Sequence, residues 1–563
     1  MKPEHKKYID ENFHTQSITH IAKKLGLREE KVRKYVLGKK AEDRTSPPKT
    51  NGRAHGTGLF LVLLVLAICA VYINVLGGPF LFDDKILIQN NPLTRSLANI
   101  PGFFKTDIFA HDLTSRPMSS SYRPLQVITY AIDYSLWDNN PKGFHFTNIV
   151  LHLLNAIMVF FLIRRITDDI FVSFFVSLLF GIHPVNTQCV SYIAGRADVL
   201  VVAFMLLSII CYIDYCRLGT RYVLACSGIG YLLALYSKES SLFVVPFILF
   251  TYTMIFNRKN LLKPSSYVVY LASLAIYLPM RLYALRGVMA QDFELARIDI
   301  VSRVMTSLKT LFIDLRIMCA PYDLHFGRTT ELEHSIVSSP YSILTVLGIA
   351  IIGYGTRRAY RKWAIAQNTR AGICAFGILW FFVSMIPFLN LVPLQVFFSE
   401  NWLYFPSVGI YLAVGTAVRS QWQLSEGRFT LWKWILTVVL CGWFSYYGFT
   451  TAARNRDYCN EIKFYLSSVR WRPTVKFYRV LGGLYGERND YAMAVKYLEK
   501  AVETNDIYPS PEVAAAYYNL GITYMKLSDL KKAEEAFGKV MISHNEALKR
   551  EAERNLQYIR KRR

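Results

Sequence analysis

The feature that most constrains this chain is its set of uncharged apolar runs, clearest in "LFLVLLVLAICAVYINVL" (59–76) and "AGICAFGILWFFVSMIPFL" (371–389). A helix rises about 1.5 Å per residue, so about 18 to 20 apolar residues match the hydrocarbon thickness of a bilayer. Composition agrees: the 563 residues are 52% hydrophobic and only 19% charged, where a soluble protein carries about a quarter charged residues. The runs predict an all-α polytopic membrane protein.

Eleven apolar segments stand out, near 59–76, 145–163, 168–183, 199–216, 222–236, 241–256, 266–284, 341–356, 371–389, 402–418 and 431–449. With the N-terminus cytoplasmic, alternate connections hold the basic residues: Arg164 and Arg165; Arg217 and Arg221; Arg258, Lys259 and Lys263; Arg357, Arg358, Arg361 and Lys362; Arg419, Arg428 and Lys433. This is the positive-inside pattern, and it assigns much of the +24 net charge to topology rather than to nucleic acid. The third segment, "IFVSFFVSLLFGI", is short, but omitting it would put every later basic cluster outside. It therefore counts as a span, giving eleven with the C-terminus external. Some 58 polar, basic residues precede the first span, which is expected to remain as an anchor.

The nine cysteines form no CxxC pair, and Cys69, Cys211, Cys226, Cys374 and Cys441 fall within apolar runs, where they read as small buried residues. No Asn-x-Ser/Thr acceptor occurs, which favours the plasma or inner membrane of a prokaryote over a secretory-pathway membrane. In a eukaryote the corresponding setting is the endoplasmic reticulum.

Five regions follow. Residues 1–40 have the rhythm of a helix-turn-helix in "SITHIAKKLGLREEKVRKYVLGK", with Ile21, Ala22 and Leu25 inward, Gly26 at the turn, and Val32 and Tyr35 packing the second helix. Without a dimerisation element this head reads as a small cytoplasmic bundle more readily than as a DNA reader. Residues 41–58 are a Pro/Gly-containing linker, 59–450 the membrane domain and 451–473 a connector. Residues 474–563 are external and repetitive. Tyr478, Leu481, Gly482, Tyr485, Ala494, Leu498 and Ala501 match Tyr517, Leu520, Gly521, Tyr524, Ala533, Phe537 and Val540, the tetratricopeptide pattern. Extra residues around "IYPSP" belong between the two repeats, and "EALKREAERNLQYIRKRR" reads as a polar capping helix.

Ionisable residues inside or beside spans are functional candidates, because lipid penalises them. Here they gather at the expected external ends: Asp83 and Asp84 in "VLGGPFLFDDKILIQNNP", Arg123 in "SYRPLQV", His183, Arg196 and Asp198 in "GIHPVNTQCVSYIAGRADVL", Lys238 and Glu239 in "LYSKESSL", and Glu400 in "VFFSENWLYFPSVG". Basic and acidic groups converging there suit a phosphate-bearing lipid donor and a hydroxyl acceptor. Arg123, Arg196 and Lys238 are candidates to stabilise charge on a phosphate leaving group. Alternatively Arg196 pairs with Asp198, and Lys238 with Glu239, as structural salt bridges. His183, ahead of Pro184, either donates to phosphate or caps its turn. Glu400 is placed to orient a cation or the acceptor. Trp137, Trp402 and Trp432 read as interfacial anchors. The stretch "VMTSLKTLF" in the long middle loop reads as lying along the membrane surface.

At these landmarks the chain resembles the transmembrane and tetratricopeptide-repeat O-mannosyltransferases of the GT-C class. They are "FDD", "YRPL", "HPV…IAGRAD", "YSKE", "SENWLYFPS", the loop 297–330 and the terminal repeats, together covering about residues 59–563. The resemblance implies a GT-C membrane domain of about eleven helices with external amphipathic loop helices. It also implies a polyprenyl-phosphate sugar donor, with mannose as the expected hexose, and transfer to a hydroxyl of a protein Ser/Thr or of an envelope lipid or glycan. Carried onto this chain, Asp83 is the general base and Asp84 its support, the two adjacent carboxylates raising each other's pKa. No cofactor is implied, and metal dependence stays open because some GT-C enzymes bind a divalent cation. Partners are then the lipid-linked donor and an acceptor held by the repeats. Two competing readings are a non-enzymatic scaffold joining the cytoplasmic head to external protein binding, and a transporter. The scaffold leaves the collected polar residues unexplained, and a transporter predicts charges deep within spans.

Overall fold

The structure is a computed structural model that describes residues 3–12, 18–32, 35, 54–113, 119–257, 263–286, 298–328, 330, 332–333, 340–366, 369–394, 396–424, 430–471, 473–504, 512–543 and 545–562. Among the described residues it contains helices and no strands. The chain divides into two compact units, residues 1–60 and 61–563.

In the first unit, helices α1 (Pro3–Asn12) and α2 (Ile18–Leu25) enclose a small cluster of Ile9, Ile21, Ala22 and Val32, with Leu25 and Tyr35 against it. Gly26 makes the turn in the left-handed region at φ +61°, which glycine alone adopts without strain.

Each apolar segment read from the sequence coincides with a helix. They are α3 (Ala54–Tyr72), α5 (Pro141–Thr167), α6 (Ile170–Ile182), α7 (Arg196–Leu218), α8 (Arg221–Ser237) and α9 (Ser241–Phe256), then α10 (Val268–Ala284), α12 (Pro340–Ala366), α13 (Thr369–Met385), α14 (Ser407–Leu424) and α15 (Thr430–Asn455). Local signals set their ends. Asn140 accepts from the Lys142 amide at the start of α5, Asp169 accepts from Phe171 and Val172 to open α6, and left-handed Gly219 closes α7. By length and composition, five helices among the described residues suffice to cross a membrane, or six if Ile170–Ile182 and Pro184–Ser191, bent by 50°, make one span. Ser241–Phe256 and Val268–Ala284 are apolar but shorter. The protein is a multi-pass membrane protein, and among the described residues length and hydropathy alone account for fewer than eleven crossings. Cys226 and Cys441 lie on exposed faces rather than buried ones.

Two further helices, α4 (Pro124–Trp137) and α11 (Ile300–Cys319), lie in the segments between apolar runs. Small residues allow close helix approach in the bundle: a Cβ on Gly377 of α13 would strike the Gly409 carbonyl of α14.

The contacts separate two ends of the bundle. At one, Arg165 near the end of α5 meets Asp214 near the end of α7, and Arg419 of α14 meets Asp169 before α6. At the other, Asn148 and Phe144 near the start of α5 receive Arg196 at the start of α7. The second end carries most of the candidate residues.

After α15 come α16 (Glu461–Trp471), α17 (Val475–Glu487), α18 (Tyr491–Glu503), α19 (Glu512–Lys526), α20 (Leu530–Val540) and α21 (Glu546–Arg562). The repeat pairing follows its small residues: a Cβ on Gly482 would strike Leu498, and at the equivalent Gly521 it would strike Phe537. Ala552 and Ile559 of α21 are buried against the second repeat. The expected inter-repeat insertion around "IYPSP" lies outside the described residues.

Candidate active site

The segment Gly77–Asp84 leaves the end of α3 and turns sharply. Phe82, a residue with a Cβ, is held at φ +43°, and the Asp84 amide donates to the Leu81 carbonyl at 2.8 Å. Asp84 is buried, and its two carboxylate oxygens accept from the backbone amides of Leu81 at 2.9 Å and Ala194 at 2.7 Å. It pins the turn to the start of the span that begins at Ile193. Burial pushes its carboxyl well above the usual range, against those two N–H donors, with the neighbouring Asp83 charge adding to the rise.

Asp83 is only half-buried, and its amide donates to the Tyr192 hydroxyl at 3.0 Å. Its pKa is raised by burial and drawn back by the Tyr192 hydroxyl and by the charges of Lys476 and Arg123. Of the two adjacent carboxylates, one is therefore tied to backbone, while the other follows an amide bonded to the Tyr192 hydroxyl and feels the charges of Lys476 and Arg123.

Arg123 grips Glu239 as a fork, Nε to Oε2 at 3.2 Å and Nη2 to Oε1 at 3.1 Å. Burial pushes Glu239 up, but Arg123 and then Arg281 outweigh it and pull the carboxyl to about 2. Arg281, near the end of α10, also donates to the Tyr277 hydroxyl and the Ser120 carbonyl. Lys238 meets Asp198 at 2.6 Å, and Asp198 accepts from Asn401 at 2.8 Å in the "SENW" stretch. The two salt bridges anticipated between sequence neighbours are thus replaced by crossed pairs: Lys238 with Asp198, Arg123 with Glu239, and Arg196 with Asp133.

Three candidate residues face inward. Arg196 is fully buried and engages Asp133 at 2.6 Å, Asn148 at 2.7 Å and the carbonyls of Phe144 and Thr129. His183 is buried too: its Nε2 lies 2.9 Å from the Met318 carbonyl, and its Nδ1 accepts from the Val185 amide at 3.2 Å, capping its turn. Glu400 accepts from the His325 amide at 2.6 Å, from Arg328 at 2.7 Å and from Arg454 at 3.0 Å. It ties the loop after α11 to the end of α15.

Tyr192, Arg281 and Lys476 escaped the sequence reading. Tyr192 sits inside the quoted "SYIAGRAD", and Arg281 is a charge inside an apolar segment, itself a signal. Lys476 carries none, since an exposed lysine on a repeat helix is ordinary. Among the described residues no three His, Cys, Asp or Glu side chains group as a metal site.

The tetratricopeptide-repeat family profile matches residues 475–507 and 514–541. Protein O-mannosyl-transferase F38B6.6 of Caenorhabditis elegans is 32% identical over 203 residues, covering 35% of this chain and 28% of that protein. Human protein O-mannosyl-transferase TMTC3 is 23% identical over 523 residues, covering 85% and 54%, and mouse TMTC2 is 24% identical over 489 residues, covering 72% and 57%. The chain thus spans little more than half the length of these relatives, or less. Among solved structures, the Archaeoglobus fulgidus oligosaccharyltransferase matches with a TM-score of 0.43 at 14% identity, over 82% of this chain and 61% of that one. ArnT from Cupriavidus metallidurans, bound to undecaprenyl phosphate, matches with 0.40 at 10% identity, over 87% and 81%. These named relatives are O-mannosyl-transferases, so the resemblance carried by the landmarks from "FDD" to the terminal repeats is borne out, and the chain is similar to that family along most of its length.

Proposed function

We propose that this chain is a GT-C glycosyltransferase that moves a hexose, mannose in our reading, from a polyprenyl-phosphate donor to an acceptor hydroxyl on the extracytoplasmic face. The acceptor oxygen attacks the anomeric carbon, the sugar–phosphate bond breaks, and the hydroxyl proton passes to Asp83 as general base. Asp84 holds the turn that presents Asp83. Arg123, with Arg281 and Lys238 near its Glu239 partner, receives the charge that develops on the leaving phosphate. Asp198 and Glu239 orient those cations, while Arg196, His183 and Glu400 position the elements around them. The opposite end of the bundle, with Arg165, Arg217 and Arg419, is cytoplasmic by the positive-inside rule.

The observation that carries this reading is the division of labour in the aspartate pair. Both carboxylate oxygens of Asp84 accept from backbone amides, and Asp83 is half-buried, its amide on the Tyr192 hydroxyl and its carboxyl under the charges of Lys476 and Arg123. The similarity to named O-mannosyl-transferases supports the sugar and the acceptor class.

The test uses the full chain in lipid nanodiscs, wild type and Asp83→Asn, with a panel of polyprenyl-phosphate sugars and envelope extract or peptide as acceptor. Release of polyprenyl phosphate is followed by mass spectrometry. Turnover of one donor that falls about 10²–10⁴-fold in the variant supports the base and names the sugar. Equal turnover by Asp83→Asn removes Asp83 from that role. No turnover with any donor favours the scaffold reading.

A further inference from the structure

The turn before the aspartates is shaped from outside the membrane helices. Phe82 meets Phe326 edge-on at 5.4 Å and Phe477 of α17 at 6.5 Å between ring centroids. A left-handed phenylalanine is a strained residue that persists only where its surroundings over-determine it, and here two rings from distant segments do so. Phe477 in turn occupies the space that a Cβ on left-handed Gly327 would take. Tyr192 stands edge-on to the same Phe326 at 5.3 Å. On the other flank, Lys85 pairs with Glu461 of α16 at 2.7 Å. The neighbouring residue of the repeat helix, Lys476, is exposed and sets its Nζ 4.4 Å above the Phe82 ring.

We propose that the first repeat helix forms one wall of the site, and that Lys476 is a positioning residue through which the repeats act on Asp83 and on an acceptor entering beside it. This rests on the reading of Asp83 as base. The titratable and charged groups that act on Asp83 or stand beside its turn are Tyr192 ahead of α7, Arg123 ahead of α4, Asp84 on its own turn, the Lys85–Glu461 pair, Tyr465 of α16 and Lys476 of α17. Lys476 alone among them belongs to the repeats. Its charge favours the ionised carboxylate, as does that of Arg123 on the membrane domain.

The test compares Lys476→Ala, Lys476→Glu and Lys476→Arg in the full chain in nanodiscs, with Lys500→Ala of α18 as a remote control. Two readouts are taken across pH: kcat/KM for donor turnover, and the infrared band of the protonated carboxyl that Asp83→Asn removes. Removing the cation should move the acid limb and the band to higher pH, further for Glu than for Ala. On the acid side kcat/KM should fall roughly threefold or more. Lys476→Arg and Lys500→Ala should follow the wild type. An unmoved band and limb in Lys476→Glu, or equal loss at every pH in all three variants, overturns the inference. Turnover that needs Asp83 with an unmoved limb leaves the base standing without Lys476. A moved band in a protein that turns over no donor keeps the Lys476–Asp83 link and discards the transferase.

Discussion

The two ends of the helical bundle handle charge differently. Around α5 and α7, the basic end holds Arg165 and Asp214 at 30% and 27% side-chain exposure, whereas the opposite end holds Arg196 and Asp133 at 0% and 4%. An exposed pair contributes little, because water screens it and both side chains lose freedom. A buried pair is different in kind: it adds little net stability over apolar packing, but losing one partner strands the other in a medium that does not solvate it. Charge at the first end is therefore dispensable in detail. At the second, the Arg196–Asp133 pair and Glu400 are fixed in place near the half-buried carboxylate of Asp83.

The comparison is broken most severely at Glu400. Glu400→Ala removes the buried carboxylate that Arg328 and Arg454 share, leaving Arg328 with Asp323 and Arg454 with the Leu324 carbonyl and Asp457, and loss of a buried partner costs about 3–5 kcal/mol. We expect a large drop in thermal midpoint or failure to purify as a monodisperse species. A variant as stable as wild type would show that the buried end is no more committed than the basic one. Next in size is Asp84→Ala, which leaves the buried amide of Leu81 and the partly buried amide of Ala194 without acceptors, at about 1–3 kcal/mol for the buried one. It should lose both stability and turnover, whereas Asp83→Asn should lose turnover alone. Identical thermal shifts for the two would erase the proposed difference between them.

A third test concerns the fork. Arg123→Lys keeps the charge but not the paired N–H geometry, and is expected to raise the donor KM about tenfold with folding intact. Its pH dependence has a definite sign. Glu239 is depressed from 4.5 to about 2, so its stabilisation is present above 4.5 and is lost as pH falls towards 2. Wild type and Arg123→Lys should therefore diverge least at the acid limit, and parallel acid melts would count against the fork. The smallest effect belongs to the basic end: Arg165→Ala should cost about 1 kcal/mol or less, and its turnover should stay within about twofold. A greater cost than for Glu400→Ala would reverse the comparison.

Periodic features were legible in the sequence because a single element specifies each. An apolar run long enough to be buried becomes a helix whatever its neighbours do, and all eleven segments did. Gly482 and Gly521 announce themselves by recurring where the paired repeat helices approach too closely for a Cβ. Ion pairing was not legible, and the reason is geometric. Arg196 and Asp198 are two apart at a helix start, and side chains at that spacing do not face each other. Arg196 instead finds Asp133 on α4 and Lys238 finds Asp198 on α7, partners supplied by tertiary packing. Asp83 and Asp84 look equivalent on paper. Tertiary packing makes them different, bringing the Ala194 amide to Asp84 and the Tyr192 hydroxyl to the amide of Asp83.

The aromatic seam of Phe82, Phe326 and Phe477 bears on how such a chain can be recombined. A graft made at the linker ahead of α17 would separate Phe477 from Phe82 and Gly327, and would leave a hole beside the aspartate turn. Repeats that are interchangeable cassettes elsewhere are, for their first helix, part of the membrane domain's own masonry. The cut that preserves the seam falls between α17 and α18. Any exchange of acceptor-binding modules, in the laboratory or over descent, has to carry that first helix along with the membrane helices it covers.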